Sequence, residues 1–422
     1  MVLAVTMLFE LTYAVDRAAG AGSVHLPSWV NTDGPDAARQ VLIAIAAAVI
    51  TVTGVVFSIT ILALTLASQQ FGPRILRNFI RDRGTQITLG AFVATFVYSV
   101  LALGSVSSGP HGDFVPHLSI TVALALTLAS LGVLIYFINH VATSIQLTTV
   151  VSEIARDFET TVGELFDDAA ALSVGAGATQ SSVAEVLGRM DAEGTSVAAT
   201  TSGFLQAVGH ARLVRIASGS GAVICLLNRP GHFLVEGRPL ARVWPASAAP
   251  DVAHALARAH VVGPHRTLTQ DVGFAVDQLV EIALRALSPA VNDPFTALNC
   301  IDWLGDGLCK ISSRPLPDGV YCDRSGSVRL IDPVISYERL VKGAFDKIRQ
   351  AGRGMPAVYI RQLQNLEKVL QYVVTDAQRL VVCRHADMIL RASEESVPES
   401  HDRCDVEEAH VAVVSARQRP DR

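Results

Sequence analysis

Lysine is almost missing from this chain. Only Lys310, Lys342, Lys347 and Lys368 are present, and arginine supplies the rest of the positive charge. Chemistry that needs a side-chain amine, such as Schiff-base catalysis, is therefore confined to those four positions. Cysteine is sparse too. The six run from Cys225 to Cys404 with no C-x-x-C pair and no zinc-type spacing to histidine, so they are expected as reduced thiols. Net charge is -5, without the positive excess that holds a phosphate backbone, and nucleic acid is not an expected partner. The P-loop pattern, the G-x-S-x-G elbow and the H-E-x-x-H helix are all absent, which leaves P-loop, α/β-hydrolase and zincin chemistry unsupported.

Charge of either sign is what the first third lacks. No charged residue lies between Arg39 and Arg74, and Val41 to Ser68 is an unbroken apolar and small-polar run. It is apolar on every side and long enough to cross a bilayer. Similar runs cover Ile87 to Val106 and Phe114 to Asn139; between Asp113 and Glu153 only His117 and His140 can carry charge near neutrality. Spans are expected at about 41–68, 87–106 and 117–139. Val2 to Val15 is too short to cross unaided and holds Glu10; without a basic n-region or cleavage site it is no signal peptide. It reads as a partial helix over 2–15, the latter part of a first span cut short by a late start codon. The mean hydropathy of +0.38 averages this greasy part with an ordinary globular remainder.

The loop after the first complete span carries Arg74, Arg77, Arg81 and Arg83 against Asp82, whereas the loops flanking it are acidic. By the positive-inside rule the arginine loop is cytoplasmic, and everything after about His140 lies in the cytoplasm. Where the chain leaves the membrane, Gln69 and Gln70 end the span, Gly72-Pro73 breaks it, and Arg74 and Arg77 are placed to meet anionic lipid headgroups. A gate is the alternative there. In the span itself Thr51, Gly54, Ser58 and Thr65 share a helix face with Ala47 and Ser68. Small and hydroxyl residues suit close helix packing; a pore lining is the other reading. No carboxylate or base sits inside a complete span, which argues against a proton relay.

Beyond 142 the pattern divides into a helical stalk and linker (143–202), a small β-barrel (203–245), a helical domain (246–392) and a charged, disordered tail (393–422). Stalk residues Val150, Ile154, Phe158 and Val162 recur at helical spacing. Arg229-Pro230-Gly231 is a turn with glycine available for positive φ. The Gly231–Leu240 repeat resembles half of a biotinyl or lipoyl carrier barrel, but no lysine lies near it. Ser288-Pro289 stops one helix, and Asp293 caps the next with Pro294 at its first position. Gly305 and Gly307 are expected to end that helix. Further amphipathic helices are expected at about 336–350 and 357–390. The fold class is thus mainly α: a multi-pass transmembrane bundle followed by a cytoplasmic α+β domain.

The run Ala286-Leu-Ser-Pro-Ala-Val-Asn-Asp-Pro-Phe-Thr-Ala-Leu-Asn-Cys-Ile-Asp-Trp-Leu304 resembles the hallmark of a bacterial predicted membrane-protein family, domain of unknown function 2254. Val56 to Arg74, Arg81 to Gln86, Phe114 to Ser119, Leu134 to His140 and Arg229 to Pro245 match other parts of that family. The family's first helix is fuller. The resemblance implies a bacterial inner-membrane location and this topology, and implies no chemistry.

Ser288, Pro289, Asn292, Asp293, Pro294, Thr296 and Asp302 mark the signature as a candidate ligand surface. Asn292, Asp293, Asn299, Asp302 and Asp306 form an oxygen cluster of the kind Mg²⁺ or Ca²⁺ accepts, although a helix cap and solvated carboxylates explain them more simply. No catalytic residue, metal site or cofactor is assigned. The leading expectation is a homo-oligomeric channel or transport-like protein, gated or assembled by its cytoplasmic part. A non-conducting, membrane-tethered ligand sensor or scaffold competes with it, and a metal-dependent membrane enzyme is third. Expected partners are the lipid bilayer, further copies of the chain and an unidentified small molecule or ion.

Overall fold

The computed structural model describes residues 1–21, 23, 34–71, 83–108, 113–144, 146–172, 180–314 and 316–417. They form two compact units, Met1–Thr149 and Val150–Arg422.

Among the described residues the first unit contains α1 (Val2–Gly20), α2 (Pro35–Phe71), α3 (Arg83–Ser105) and α4 (His117–Ser144). Pro35 stands at the start of α2 with Asp36 in the first turn, residues that suit a helix N-terminus. Among the described residues three helices are long and apolar enough to cross a membrane: Pro35–Leu66, Arg83–Ser105 and His117–Thr143. Only 22%, 39% and 22% of their most apolar windows are buried within the protein. The remaining apolar surface faces outward, which suits hydrocarbon and not water. The inward stripe joins Leu42, Val49 and Val56 of α2 to Phe92 and Tyr98 of α3, with Ile120 and Phe137 of α4. Thr95 and Ser130 share a hydrogen bond of 3.0 Å in this interior. The first helix is longer than the expected 2–15. It runs on through Asp16, whose carboxylate accepts hydrogen bonds from Ser119, and it ends at Gly20.

The second unit takes in most of α5 (Leu147–Leu172), followed by α6 (Gln180–Glu193). The linker expected through residue 202 is thus largely helical where it is described, and its end is a strand, β1 (Thr195–Ala198). Next come β2 (Gly203–Val208), α7 (His210–Ser220), β3 (Val223–Leu226), β4 (Phe233–Leu234), β5 (Pro239–Trp244), α8 (Ala249–Ala259) and β6 (His260–Gly263). The helices α9 (Val272–Ala286) and α10 (Pro294–Ser312) precede β7 (Val320–Cys322) and β8 (Val328–Ile331). Four helices close the unit: α11 (Tyr337–Ala351), α12 (Pro356–Leu370), α13 (Asp376–Ser396) and α14 (Ser400–Arg417).

The strands do not close into the barrel expected over 203–245. They split into a five-stranded sheet, β1-β5-β3-β8-β7, and a three-stranded sheet, β4-β2-β6. Partners from 195–198, 260–263 and 320–331 complete both sheets, and none of those lies in the expected segment. The larger sheet buries Ile224, Leu226, Val243 and Leu330 against Leu213 of α7 and Leu256 of α8.

Three further expectations change. Gly305 and Gly307 do not end α10, which continues to Ser312. A Cβ on Gly305 would lie 2.1 Å from Asn365 Oδ1, and one on Gly307 would lie 1.9 Å from the Phe158 ring. These glycines therefore admit close neighbours without stopping the helix. The helix expected over 357–390 is broken at Thr375, which caps α13 in a reciprocal capping box with Gln378. Lastly, the tail expected to be disordered from 393 is helical to Arg417, with Val406 and Val413 buried. Two apolar residues seven apart anchor a helix that composition alone makes look solvated.

Candidate functional site

The family-signature residues form a helix-to-helix corner. Ser288 O accepts from Asn292 N at 2.9 Å, and Ala286 O accepts from Asp293 N at 2.8 Å. Asn292 holds a left-handed φ of 49°. Asp293 caps α10, accepting from Thr296 N at 3.2 Å and Thr296 Oγ1 at 2.6 Å, and Pro294 opens the helix. Asp302 accepts from Arg361 Nη1 at 2.7 Å and Asn365 Nδ2 at 2.9 Å, tying α10 to α12. Asp306 pairs with Lys310. The carboxylates of the proposed oxygen cluster are thus spent on caps and ion pairs. Among the described residues no group of three or more His, Cys, Asp or Glu side chains is arranged to hold a metal. Pro289, Val291 and Asn292 are exposed, as is Phe295.

On α2, Thr51, Gly54, Ser58 and Thr65 all face away from the unit's interior. The hydroxyls of Thr51, Ser58 and Thr65 donate to Ala47 O, Gly54 O and Ile61 O at 2.7, 2.9 and 2.9 Å. An added Cβ on Gly54 meets nothing within 4 Å. Gln69 and Gln70 lie in the last turns of α2, and Arg74 and Arg77 lie outside the described residues.

A polar concavity of the second unit lies elsewhere, at the Arg229-Pro230-Gly231 turn and the starts of two helices. A cavity of about 870 Å³ is lined by Arg229, His232, Arg266, Gly273, Ser336 and Arg339, among others. Local sequence builds each wall. Pro230 and Gly231 make the turn: His232 N donates to Arg229 O at 3.1 Å, and Gly231 has a φ of 92°, the type II pattern. Gly231 N donates to Leu205 O at 2.8 Å and Leu205 N to His232 O at 2.9 Å, which pins the turn to β2. A Cβ on Gly231 would lie 2.1 Å from Asp271 Oδ2, so glycine is also required for the close approach. Asp271 caps α9 by accepting from Phe274 N, and Ser336 caps α11 by accepting from Arg339 N. Two helix N-termini, each with amide donors unused inside its helix, therefore border one cavity.

Its charges are unevenly paired. Arg266 donates to Asp271 at 2.8 Å and to Asp277 at 2.7 Å and lies over the Phe274 ring. Burial opposes that charge, yet Asp271 and Asp277 hold the guanidinium more firmly protonated than usual. The lining carboxylates are all engaged: Asp277 with Arg266 and Lys347, Glu338 with Arg384, Asp346 with Arg349 and His385. By contrast, the charged groups of Arg229, Arg339 and Lys342 have no hydrogen bond or ion pair among the described residues. Burial holds the half-buried Arg229 below the usual arginine range; Asp271 opposes this, and Arg339 and Arg266 reinforce it. The His232 imidazole is lowered by burial and then by Arg229, Arg339 and Arg266.

A second, smaller cavity of about 60 Å³ is also lined by Arg229 and Ile335. Its wall includes Leu316, Pro317, Tyr321 and a buried pair in which His210 Nε2 and Asp332 Oδ2 lie 2.7 Å apart. The His210 ring stacks on Tyr321 with centroids 5.0 Å apart. Asp332 Oδ1 is buried without a hydrogen-bond partner among the described residues. The Arg-Pro-Gly turn was readable in sequence; its meeting with the two helix caps, across more than a hundred residues, was not.

Two curated relatives, uncharacterised proteins of Mycobacterium bovis and Mycobacterium tuberculosis, are each 34% identical to this chain over 394 residues. Each alignment covers 92% of this chain and 74% of the relative. No solved structure matches the chain. The family profile described as "Predicted membrane protein (DUF2254)" matches residues 1–368, and the chain belongs to that family.

Proposed function

We propose that this protein is a membrane-tethered ligand sensor: α2, α3 and α4 hold it in the bilayer, and the Val150–Arg422 unit binds a small molecule. The observation that carries this reading is the half-buried, unpaired Arg229 in a roomy cavity. Keeping a guanidinium partly desolvated beside two other arginines is costly, and its nearest counter-charge, Asp271, is already paired with Arg266, so a ligand anion would complete the compensation. The arginine-rich loop sequence after α2 supports, by the positive-inside rule, a sensing unit on the cytoplasmic side of a bacterial plasma membrane. The test is mass spectrometry of small molecules released from purified full-length protein, with Arg229→Ala alongside. A ligand retained by the native chain and lost from the variant supports the sensor. Its overthrow is a native chain that retains nothing and shifts in no ligand screen.

A homo-oligomeric channel is the second reading, favoured by the outward face of Thr51, Gly54, Ser58 and Thr65. That face is smooth enough for another α2 to approach closely. With the hydroxyls bonded to their own helix, it suits packing better than ion conduction. Currents in planar bilayers that Ser58→Trp abolishes, with folding intact, are what the channel reading requires.

A further inference from the structure

The sensor reading leaves the chemistry of its ligand open, and the inference here rests on that reading. Three cationic side chains around the larger cavity lack partners among the described residues: Arg229 from the Arg-Pro-Gly turn, and Arg339 and Lys342 one turn apart on α11. The N-termini of α9 and α11 border the same wall, where Gly273 and Ser336 line it. Donors thus come from a turn and two helices, in more than one plane. A carboxylate offers two coplanar oxygens and one charge. A phosphomonoester offers three acceptor oxygens on a tetrahedral centre and a charge between about −1.5 and −2 at neutral pH. Guanidinium groups and helix N-termini are the usual protein partners of such a group.

The adjoining cavity adds a second requirement. Asp332 is 7% exposed, gives one oxygen to His210, and buries the other without a partner among the described residues. A buried carboxylate oxygen left unpaired costs free energy that a donor from a ligand would recover. The rest of that cavity is largely apolar, with Leu316, Pro317 and Val334 among its lining.

We infer that the cavity takes a phosphomonoester: its phosphoryl group sits among Arg229, Arg339, Lys342 and the two helix N-termini. The attached group carries an O–H or N–H donor that reaches Asp332 Oδ1. The carboxylates on the wall do not oppose this, because Asp277, Glu338 and Asp346 each have cationic partners already. Two sources supply this chemistry, a soluble phosphorylated metabolite and the headgroup of a membrane lipid.

The experiment is isothermal titration calorimetry on the full-length chain in phosphatidylcholine nanodiscs, with glycerol phosphate, inorganic phosphate and glycerate as probes. Glycerol phosphate is expected to bind roughly tenfold or more tighter than glycerate, which differs in bearing a carboxylate. Arg229→Gln and, on the exposed helix surface, Arg339→Gln should each weaken it by about tenfold or more. Asp332→Asn should weaken glycerol phosphate and leave inorganic phosphate unchanged. Nanodiscs containing phosphatidic acid separate the sources: competition with glycerol phosphate supports a lipid headgroup, and its absence supports a soluble ester. Glycerate binding as tightly as glycerol phosphate, with both lost in Arg229→Gln, would overturn the phosphomonoester while leaving a ligand cavity. Silence with every probe in both kinds of disc would overturn the phosphomonoester, and the small-molecule release experiment then judges the sensor separately.

Discussion

Asp16, near the end of the first helix, caps the start of α4 through Ser119, more than a hundred residues away. Its Oδ2 accepts from Ser119 N at 2.9 Å and Ser119 Oγ at 2.7 Å, and its Oδ1 accepts from Leu118 N at 2.8 Å. Thr12 extends the network, its Oγ1 lying 3.2 Å from Ser119 Oγ and 2.8 Å from Tyr98 OH. One carboxylate thus satisfies amides that an isolated helix leaves open. Removing it with Asp16→Ala should lower the stability of the protein by about 2–3 kcal/mol, the scale of buried hydrogen bonds to a charged group. Denaturant titration in detergent, followed by tryptophan fluorescence or circular dichroism, measures this. No change relative to the native chain would show that the contact is not a stabilising one.

Gly307→Ala should destabilise the second unit although alanine is the better helix former by about 1 kcal/mol. The Phe158 ring fills the space a methyl group would need, and Phe158 is fully buried. Overpacking of this kind costs about 1–3 kcal/mol. Combining Gly307→Ala with Phe158→Leu should restore part of the loss, and a double-mutant cycle on unfolding midpoints reads the coupling.

Acid should weaken the second unit through His385. Burial lowers its pKa from the ordinary 6.5, with Asp346 opposing and Arg349 and Lys342 reinforcing. The folded state therefore binds a proton less readily than the unfolded chain. Its contribution is fully present above pH 6.5 and is lost as pH falls from there toward the lower folded value. Melting temperatures measured across that window should fall on acidification, and fall less steeply in His385→Gln. Equal slopes would remove His385 from the account. His232 is shifted in the same direction and acts with the same sign.

Arg229→Met should leave the ligand-free protein as stable as the native chain or more so, by up to about 2 kcal/mol. The side chain keeps its apolar stem; the desolvation of a guanidinium and its repulsion from Arg339 and Arg266 are relieved, which offsets the lost attraction to Asp271. A clear drop in melting temperature without ligand would mean that Arg229 is held for structure and not for binding.

A fluorescent protein fused after Arg417 should fold and glow in bacterial cells, as it does only on the cytoplasmic side. Alkaline phosphatase at the same point should be inactive. The reverse pair of results would invert the topology drawn from Arg74, Arg77, Arg81 and Arg83.

Local chemistry was legible in the sequence where a single segment carries the whole cause. The apolar runs, the Asp293 cap and the turn at Gly231 belong to this kind, since composition or one side chain settles each. Gly305 and Gly307 were misread because the same residue type serves both as a stop and as a gap, and the deciding neighbours, Asn365 and Phe158, are remote in sequence. The sheets were drawn too small for a like reason: β8 lies far along the chain from the strand it joins. The cavity was invisible in full. Arg229, Arg266 and Arg339 are ordinary arginines until Asp271 and Ser336 start two helices beside one turn. Two capping residues leading into separate helices, with arginines nearby, were the available signal.

The parallel pairing of β3 with β8, Ile224 opposite Leu330 and Cys225 opposite Ile331, bears on synthesis. All the other pairings in that sheet are antiparallel. As the chain leaves the ribosome, β1, β3 and β5 can assemble early, but β3 keeps one bare edge until about a hundred further residues have emerged. Contacts of such long reach form slowly, and an open strand edge meanwhile invites pairing with other nascent chains. The arrival of Val328–Ile331 is thus the step that seals the sheet, and a ribosome stalled before it would leave a sticky intermediate already threaded into the membrane.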